Sequence, residues 1–204
     1  AINSAATDPA VQYIYLKTDG SASGIASLEE IRKSLAKFRQ TSGKPIVSYI
    51  EAPTTGGYYL ASVADKVYMT SHIGGTVPLT GVSSQTVFLG DLLGRLGVNV
   101  QLIRHGKYKS AGEMFTKSKS SPENREQYQR MVDSMWESMS ESIAQSRELS
   151  VEALDDAINN LKLNLPQDFV ECGLVDELLT KNELEDKLAV LAGKERFGGE
   201  GQFR

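Results

Sequence analysis

Two short stretches of this sequence hold residues whose types and spacing suit acyl transfer. The first is Thr54-Thr55-Gly56-Gly57-Tyr58-Tyr59, where a hydroxyl stands between a strand and a helix. Glycines there let the chain turn without a Cβ clash, and the N–H groups of a first helical turn can donate to a developing oxyanion. The same residues also suit a purely structural role, with Thr55 as the N-cap and the glycines as close-packing positions. The second stretch is Arg104-His105-Gly106-Lys107-Tyr108-Lys109-Ser110-Ala111. A lysine serves as a general base only when neutral, and burial lowers its pKa because desolvation disfavours the ammonium. Lys109, between Tyr108 and the small pair Ser110-Ala111, suits such a buried place, whereas Lys107 suits water. For either lysine, a solvated surface charge is the alternative.

The elements that must carry these residues read as alternating strands and helices. Val11 to Lys17 is apolar and β-branched enough for a strand, and Asp19-Gly20-Ser21 breaks it. Leu28, Ile31, Leu35 and Phe38 follow helical spacing, with Ser27 as N-cap, Glu30 completing a capping box and Gly43 as the stop. Ile46 to Ile50 predicts a strand, Tyr58 to Ala64 a helix, and Lys66 to Met69 a strand. His72 to Val82 predicts loops and one more short strand. Val87 to Leu96 predicts a helix ended by Gly97. Val98 to Ile103 then predicts a strand whose end would present Lys109, as strand ends in α/β folds present functional groups. Ser121-Pro122-Glu123 starts a helix running to about Arg147, followed by helices near Val151 to Asn160 and Glu183 to Ala192. This alternation implies parallel pairing and an α/β class. One domain is expected over residues 1–192, and Gly193 to Arg204, with four glycines, as a flexible tail or linker to an absent second half.

Composition narrows the function. The 204 residues are 40% hydrophobic and 24% charged, which suits a globular domain. A net charge of -4 offers no basic field for nucleic acid, and no run of 18 uninterrupted apolar residues offers a membrane span. Cys172 is the one cysteine, and with His72 and His105 as the only histidines it leaves too few ligands for a Cys/His zinc site. No metal and no cofactor is expected. The chain starts at Ala1, which reads as an upstream segment, with any membrane anchor, lying outside this sequence. His72 and His105 are the candidates for proton transfer, and Cys172 reads as a small core residue. Tyr58, Tyr59 and Trp136 read as packing aromatics, and Glu123, Glu126 and Asp133 as a solvated helix face.

The runs GGYYLASVADKVYM (Gly56 to Met69), LLGRLGVNVQLIRHGKYKSAGEMFT (Leu92 to Thr116), SPENREQ (Ser121 to Gln127) and CGLVDEL (Cys172 to Leu178) resemble the protease IV (SppA) family of signal peptide peptidases. The resemblance extends over about Asp8 to Ala192, in family order. It implies a ClpP/crotonase-like fold with parallel strands and βα units, plus a C-terminal helical extension. It also implies an oligomeric Ser/Lys peptidase that degrades cleaved signal peptides, anchored to the bacterial inner membrane with its soluble domain outside the cytoplasm.

The family's lysine base falls on Lys109, and its serine, the residue before Gly-Gly-Tyr-Tyr, falls on Thr55. The oxyanion donors would be the backbone of Gly56 and of Gly20, although the family's Ser-Pro-Gly-Gly loop is Thr18-Asp19-Gly20-Ser21 here. With lysine kept and serine lost, the chain resembles the N-terminal, lysine-donating half of a double-length member. The alternatives are a self-contained peptidase with Thr55 as nucleophile and an inactive assembly scaffold. A crotonase-type acyl-CoA enzyme stands further off, since no CoA pocket can be located in the sequence.

Overall fold

Four short apolar runs pair as parallel strands, β1 (Ile14–Lys17), β2 (Ile46–Ile50), β3 (Lys66–Thr70) and β4 (Glu177–Leu179), in the sheet order β1-β2-β3-β4. The register sets Leu16 beside Ser48, Ser48 beside Val67, and Met69 beside Leu178. All five residues of β2 are buried, which is why its sequence is continuously apolar around Ser48 instead of alternating. The computed structural model describes residues 1–20, 24–72, 79–103, 105 and 109–194. It divides into two units, one made of Ala1–Thr80 with Met139–Arg204 and the other of Gly81–Ser138.

In the first unit, the helices before the third strand are α1 (Ile2–Thr7), α2 (Ile25–Ser42) and α3 (Thr55–Ala61). α2 buries Leu28, Leu35 and Phe38 along one stripe, each such side chain contributing about 1.5–3 kcal/mol of burial. It starts two residues before the expected cap: Gly24, not Ser27, precedes it, and no side chain caps it. The expected Ser27–Glu30 capping box is therefore absent, because both residues already lie inside the helix. Gly43 ends it with φ of 65°, a left-handed turn that suits glycine. Arg32, 7% exposed, is the polar centre of this layer. Its guanidinium donates to the Tyr59 carbonyl, to Ser62 Oγ at 2.8 Å, to the Ser142 carbonyl at 2.7 Å and to Ser146 Oγ at 2.6 Å, and it lies over the Tyr59 ring.

The second unit holds α4 (Gly90–Arg95), α5 (Glu113–Thr116) and the start of α6 (Pro122–Arg147). The bounds of α6 agree with the sequence expectation because its first turn carries both Pro122 and Glu123. Val98 to Ile103 overturns its expectation. These residues form no strand, and Val98, Val100, Leu102 and Ile103 are all exposed, Ile103 at 99%. A β-branched run states what would fit a pleated surface, but a strand needs a partner to complete its ladder, and none of the described residues pairs with this one.

Among the last helices, α7 (Val151–Asn159) and α9 (Lys181–Leu191) match the expected pair, while α8 (Pro166–Glu171) and β4, between α8 and α9, were not expected. α9 lays Leu184 and Leu188 on the sheet face formed by Val47, Tyr49, Tyr68 and Leu179. Asp176, at the entry to β4, accepts the Val67 N–H at 2.7 Å, while its own N–H donates to the Val67 carbonyl at 2.8 Å. That exchange docks the fourth strand beside β3. The sheet is thus completed from the far end of the sequence. Among the described residues no helix is long and apolar enough to cross a membrane. Part of the loop expected after His72, residues 73–78, and the tail from residue 195 lie outside the described residues.

Candidate active site

The turn between β2 and α3 places the hydroxyl stretch at the carboxyl end of the sheet. Asp19, just after β1, accepts the N–H groups of Glu51 and Ala52 on one oxygen, at 2.9 and 2.8 Å, and so ties the ends of the two strands together. Thr54, not Thr55, caps α3: its Oγ1 accepts the Gly57 N–H at 3.1 Å and its carbonyl accepts the Tyr58 N–H at 2.8 Å. Thr55 is the first helical residue and half-buried, so the expected cap role moves one residue upstream and the helix begins three residues before Tyr58. Gly56 follows it against α2, where a Cβ would come within 2.8 Å of Leu28 Cδ1. Tyr58 and Tyr59 are buried packing aromatics. The Tyr58 hydroxyl donates to the Leu174 carbonyl at 2.5 Å, and burial pushes its pKa well above the usual phenol value. Gly20 sits exposed in the turn after β1 with φ of 70°; Ser21 lies outside the described residues.

Within the second unit, Lys109 lies in an open groove of about 630 Å³ whose walls include Leu102, Ile103, Tyr128 and Met131. The sequence expectation was a buried lysine at a strand end. Instead, Lys109 is exposed, and Val98 to Ile103 form no strand to end beside it. His105 lines the same groove, while Lys107 lies outside the described residues. Ser110, which lines the groove, leads into a set of polar residues that sequence reasoning passed over. Ser110 hydrogen-bonds to Asn124, Asn124 to Ser121, and Ser121 to Glu113. The only sequence signal for this set was the helix-start pattern at Ser121, whose Oγ accepts the Asn124 N–H at 3.3 Å as an N-cap should.

The remaining candidates stand apart. His72 is exposed just past β3, and Cys172 is partly buried at the end of α8, where burial pushes its thiol up and away from thiolate chemistry. A second groove, of about 450 Å³, runs between β1 and α9. Tyr13, Tyr15 and Tyr49 line it, and at its mouth Glu51 is paired with Lys181 at 3.0 Å and Lys17 at 3.7 Å. Among the described residues no cluster of three or more His, Cys, Asp or Glu side chains is arranged to hold a metal ion.

Comparison with known proteins adds descent to this geometry. The chain is 30% identical over 202 residues to Protease 4 of Haemophilus influenzae, covering 95% of this chain and 32% of that protein. It is 30% identical over 169 residues to Protease 4 of Salmonella typhi, covering 79% and 27%. It is 29% identical over 196 residues to the chloroplastic serine protease SPPA of Arabidopsis thaliana, covering 96% and 28%. The chain thus spans a third or less of the length of these three relatives. Residues 38–195, from within α2 to just past α9, match the family model of peptidase family S49. A match that runs through three of the four strands and most of the helices settles descent: the chain belongs to peptidase family S49, whose ClpP-like architecture its parallel sheet carries.

Proposed function

We propose that this chain is the lysine-donating half of a Ser/Lys endopeptidase that degrades cleaved signal peptides. Lys109 is the general base, and the serine it deprotonates comes from another domain or subunit. The observation that carries this reading is the setting of Lys109, a charged side chain in a groove walled by Leu102, Ile103, Tyr128 and Met131 and open on one side. An ammonium in water is no base, but the same side chain under an apolar cover from a partner is desolvated and its pKa falls. The groove thus holds half of what the chemistry needs and leaves the cover to a partner. Thr55 occupies the serine's place without its chemistry, since a β-branched secondary hydroxyl at the first position of α3 is stiffer and more hindered. The relatives leave room for such a partner, because this chain matches 32% of the Haemophilus protein.

In the reaction, the apolar walls take an extended apolar peptide. Neutral Lys109 removes the proton from the partner's serine as that oxygen attacks the scissile carbonyl, and the resulting ammonium returns the proton to the leaving amine. The whole protein assembles as an oligomer at the inner membrane of the cell envelope, held by a segment outside this chain. The test is turnover of a fluorogenic apolar peptide by the full-length protein. Lys109→Ala should lower kcat by at least about 100-fold, the lower end of what a general base contributes, while Thr55→Ala and Lys107→Ala should leave it nearly unchanged. Full activity of Lys109→Ala would overturn the reading, and loss of activity in Thr55→Ala would transfer the nucleophile to this chain.

A further inference from the structure

The residue that follows Lys109 is held by a chain of polar groups, two of them on buried residues, for which the reaction above has no use. Ser110 is held twice: its carbonyl accepts the Glu113 N–H at 2.9 Å, and its hydroxyl donates to Asn124 Oδ1 at 2.7 Å. Asn124, 3% exposed in the first turn of α6, donates its N–H to Ser121 Oγ at 3.3 Å. Ser121 in turn donates to both oxygens of the Glu113 carboxylate, through its hydroxyl at 2.8 Å and its N–H at 3.1 Å. Glu113 is 1% exposed, and Lys117 reaches the same carboxylate at 3.1 Å.

Burying a carboxylate is not the strongest way to hold a four-residue helix in place. Apolar side chains of the same volume hold a fold at least as well as a buried ionic set. What such a set supplies is orientation, because each bond has a fixed length and direction and every member must be satisfied together. The charge is also disposed suitably for a base nearby. Lys117 compensates the Glu113 carboxylate, so the network adds no net anion that would favour the ammonium of Lys109.

From this geometry we infer that Glu113 and Asn124 are positioning residues for Lys109, acting through Ser110. They clamp the backbone immediately after the lysine to α5 and α6, so that its side chain leaves from a fixed point at the groove lined by Tyr128 and Met131. The inference rests on Lys109 being the general base. A base must be held in place to act, and a displacement of about 1 Å from the reacting hydroxyl is enough to lower a rate by about 100-fold.

The test uses the full-length protein with Ser110→Ala, Ser110→Thr, Asn124→Ala, Glu113→Gln and Lys109→Ala, each checked for folding by circular dichroism and melting temperature. Ser110→Ala is the mildest, since it removes one hydroxyl from a half-buried residue. It and Asn124→Ala should lower kcat by about 10- to 100-fold with KM nearly unchanged, and should shift the acidic limb of the pH profile of kcat/KM. Ser110→Thr, which keeps the hydroxyl, should restore most of the rate. If Ser110→Ala melts with the parent and keeps its kcat and pH profile while Lys109→Ala is inactive, the positioning role is overturned and the base assignment stands. If Lys109→Ala itself is fully active, the base assignment fails and this inference fails with it.

Discussion

Thr54 Oγ1 accepts the Gly57 N–H at 3.1 Å, so of the two adjacent threonine hydroxyls it is that of Thr54 that closes the start of α3. The two adjacent threonines are therefore not equivalent. Thr54→Ala removes a helix cap and should destabilise the chain by about 1 kcal/mol, whereas Thr54→Ser should retain most of that contribution. Urea unfolding of the two variants against the parent measures the difference, and equal losses in Thr54→Ala and Thr54→Ser would contradict the cap assignment.

Two glycines of α4 should respond in opposite senses to the same substitution. A Cβ on Gly90 would lie 2.6 Å from the Lys117 carbonyl oxygen and 2.8 Å from the Lys117 nitrogen, backbone atoms that cannot swing aside, whereas a Cβ on Gly94 meets nothing within 4 Å. The Gly90 N–H also donates to that carbonyl at 3.2 Å, so the close approach joins α4 to the end of α5. Gly90→Ala should cost about 1–3 kcal/mol as overpacking, and Gly94→Ala should be neutral or stabilise by up to about 1 kcal/mol through helix propensity. Thermal melts of the pair decide the matter, and a stabilising Gly90→Ala would refute the contact.

Acid should unfasten the fourth strand before it unfolds the core. Burial alone would raise the pKa of Asp176, but the Val67 N–H and the Arg147 guanidinium, with Lys66 further off, outweigh it and hold the carboxyl below its ordinary value of 3.8. A folded-state pKa below the unfolded one means that the folded chain binds fewer protons. The stabilisation is therefore complete above the unfolded value and is lost as pH falls through the folded one. Asp176→Asn keeps an acceptor for Val67 but drops the charge. The stability gap between parent and variant should be open at pH 7 and should narrow below about pH 4, as denaturant melts at several pH values would report. A gap that widened in acid would reverse the sign of the argument.

The sequence announces elements in proportion to how much of their signal is local. β2 and α6 could be read from a continuous apolar run and from Ser121-Pro122-Glu123, because both signals reside within the element. β4, three residues long, and α5, four, are too short to show a period; they exist because Asp176 docks on Val67 and Glu113 draws Ser121 and Lys117 around itself. Val98 to Ile103 fails in the opposite direction, a strong strand pattern that pairs with none of the described residues. Lys109 drew attention as a candidate from its place between Tyr108 and Ser110-Ala111, and the family resemblance singled it out from Lys107. The polar set behind Ser110 was hidden because Glu113 and Asn124 look like surface residues until their hydrogen-bond partners are known.

That unpaired segment yields a prediction about assembly. Ile103, 99% exposed, sits on the wall of the Lys109 groove beside Leu102, which is 41% exposed. A side chain already in water contributes no burial to the isolated fold, so Ile103→Asp should leave the melting temperature of the 204-residue chain unchanged. If a partner covers this groove to desolvate Lys109, the same substitution places a carboxylate in an apolar contact and beside the lysine that must lose its proton. Both effects oppose function, the first by weakening association and the second by favouring the ammonium. Sedimentation of the full-length protein should show a looser assembly and peptide turnover should fall, with Ile103→Leu behaving as the parent. Unchanged assembly and unchanged turnover in Ile103→Asp would mean that the groove stays open to water in the working protein, and the cover that the base requires would have to be sought on another face.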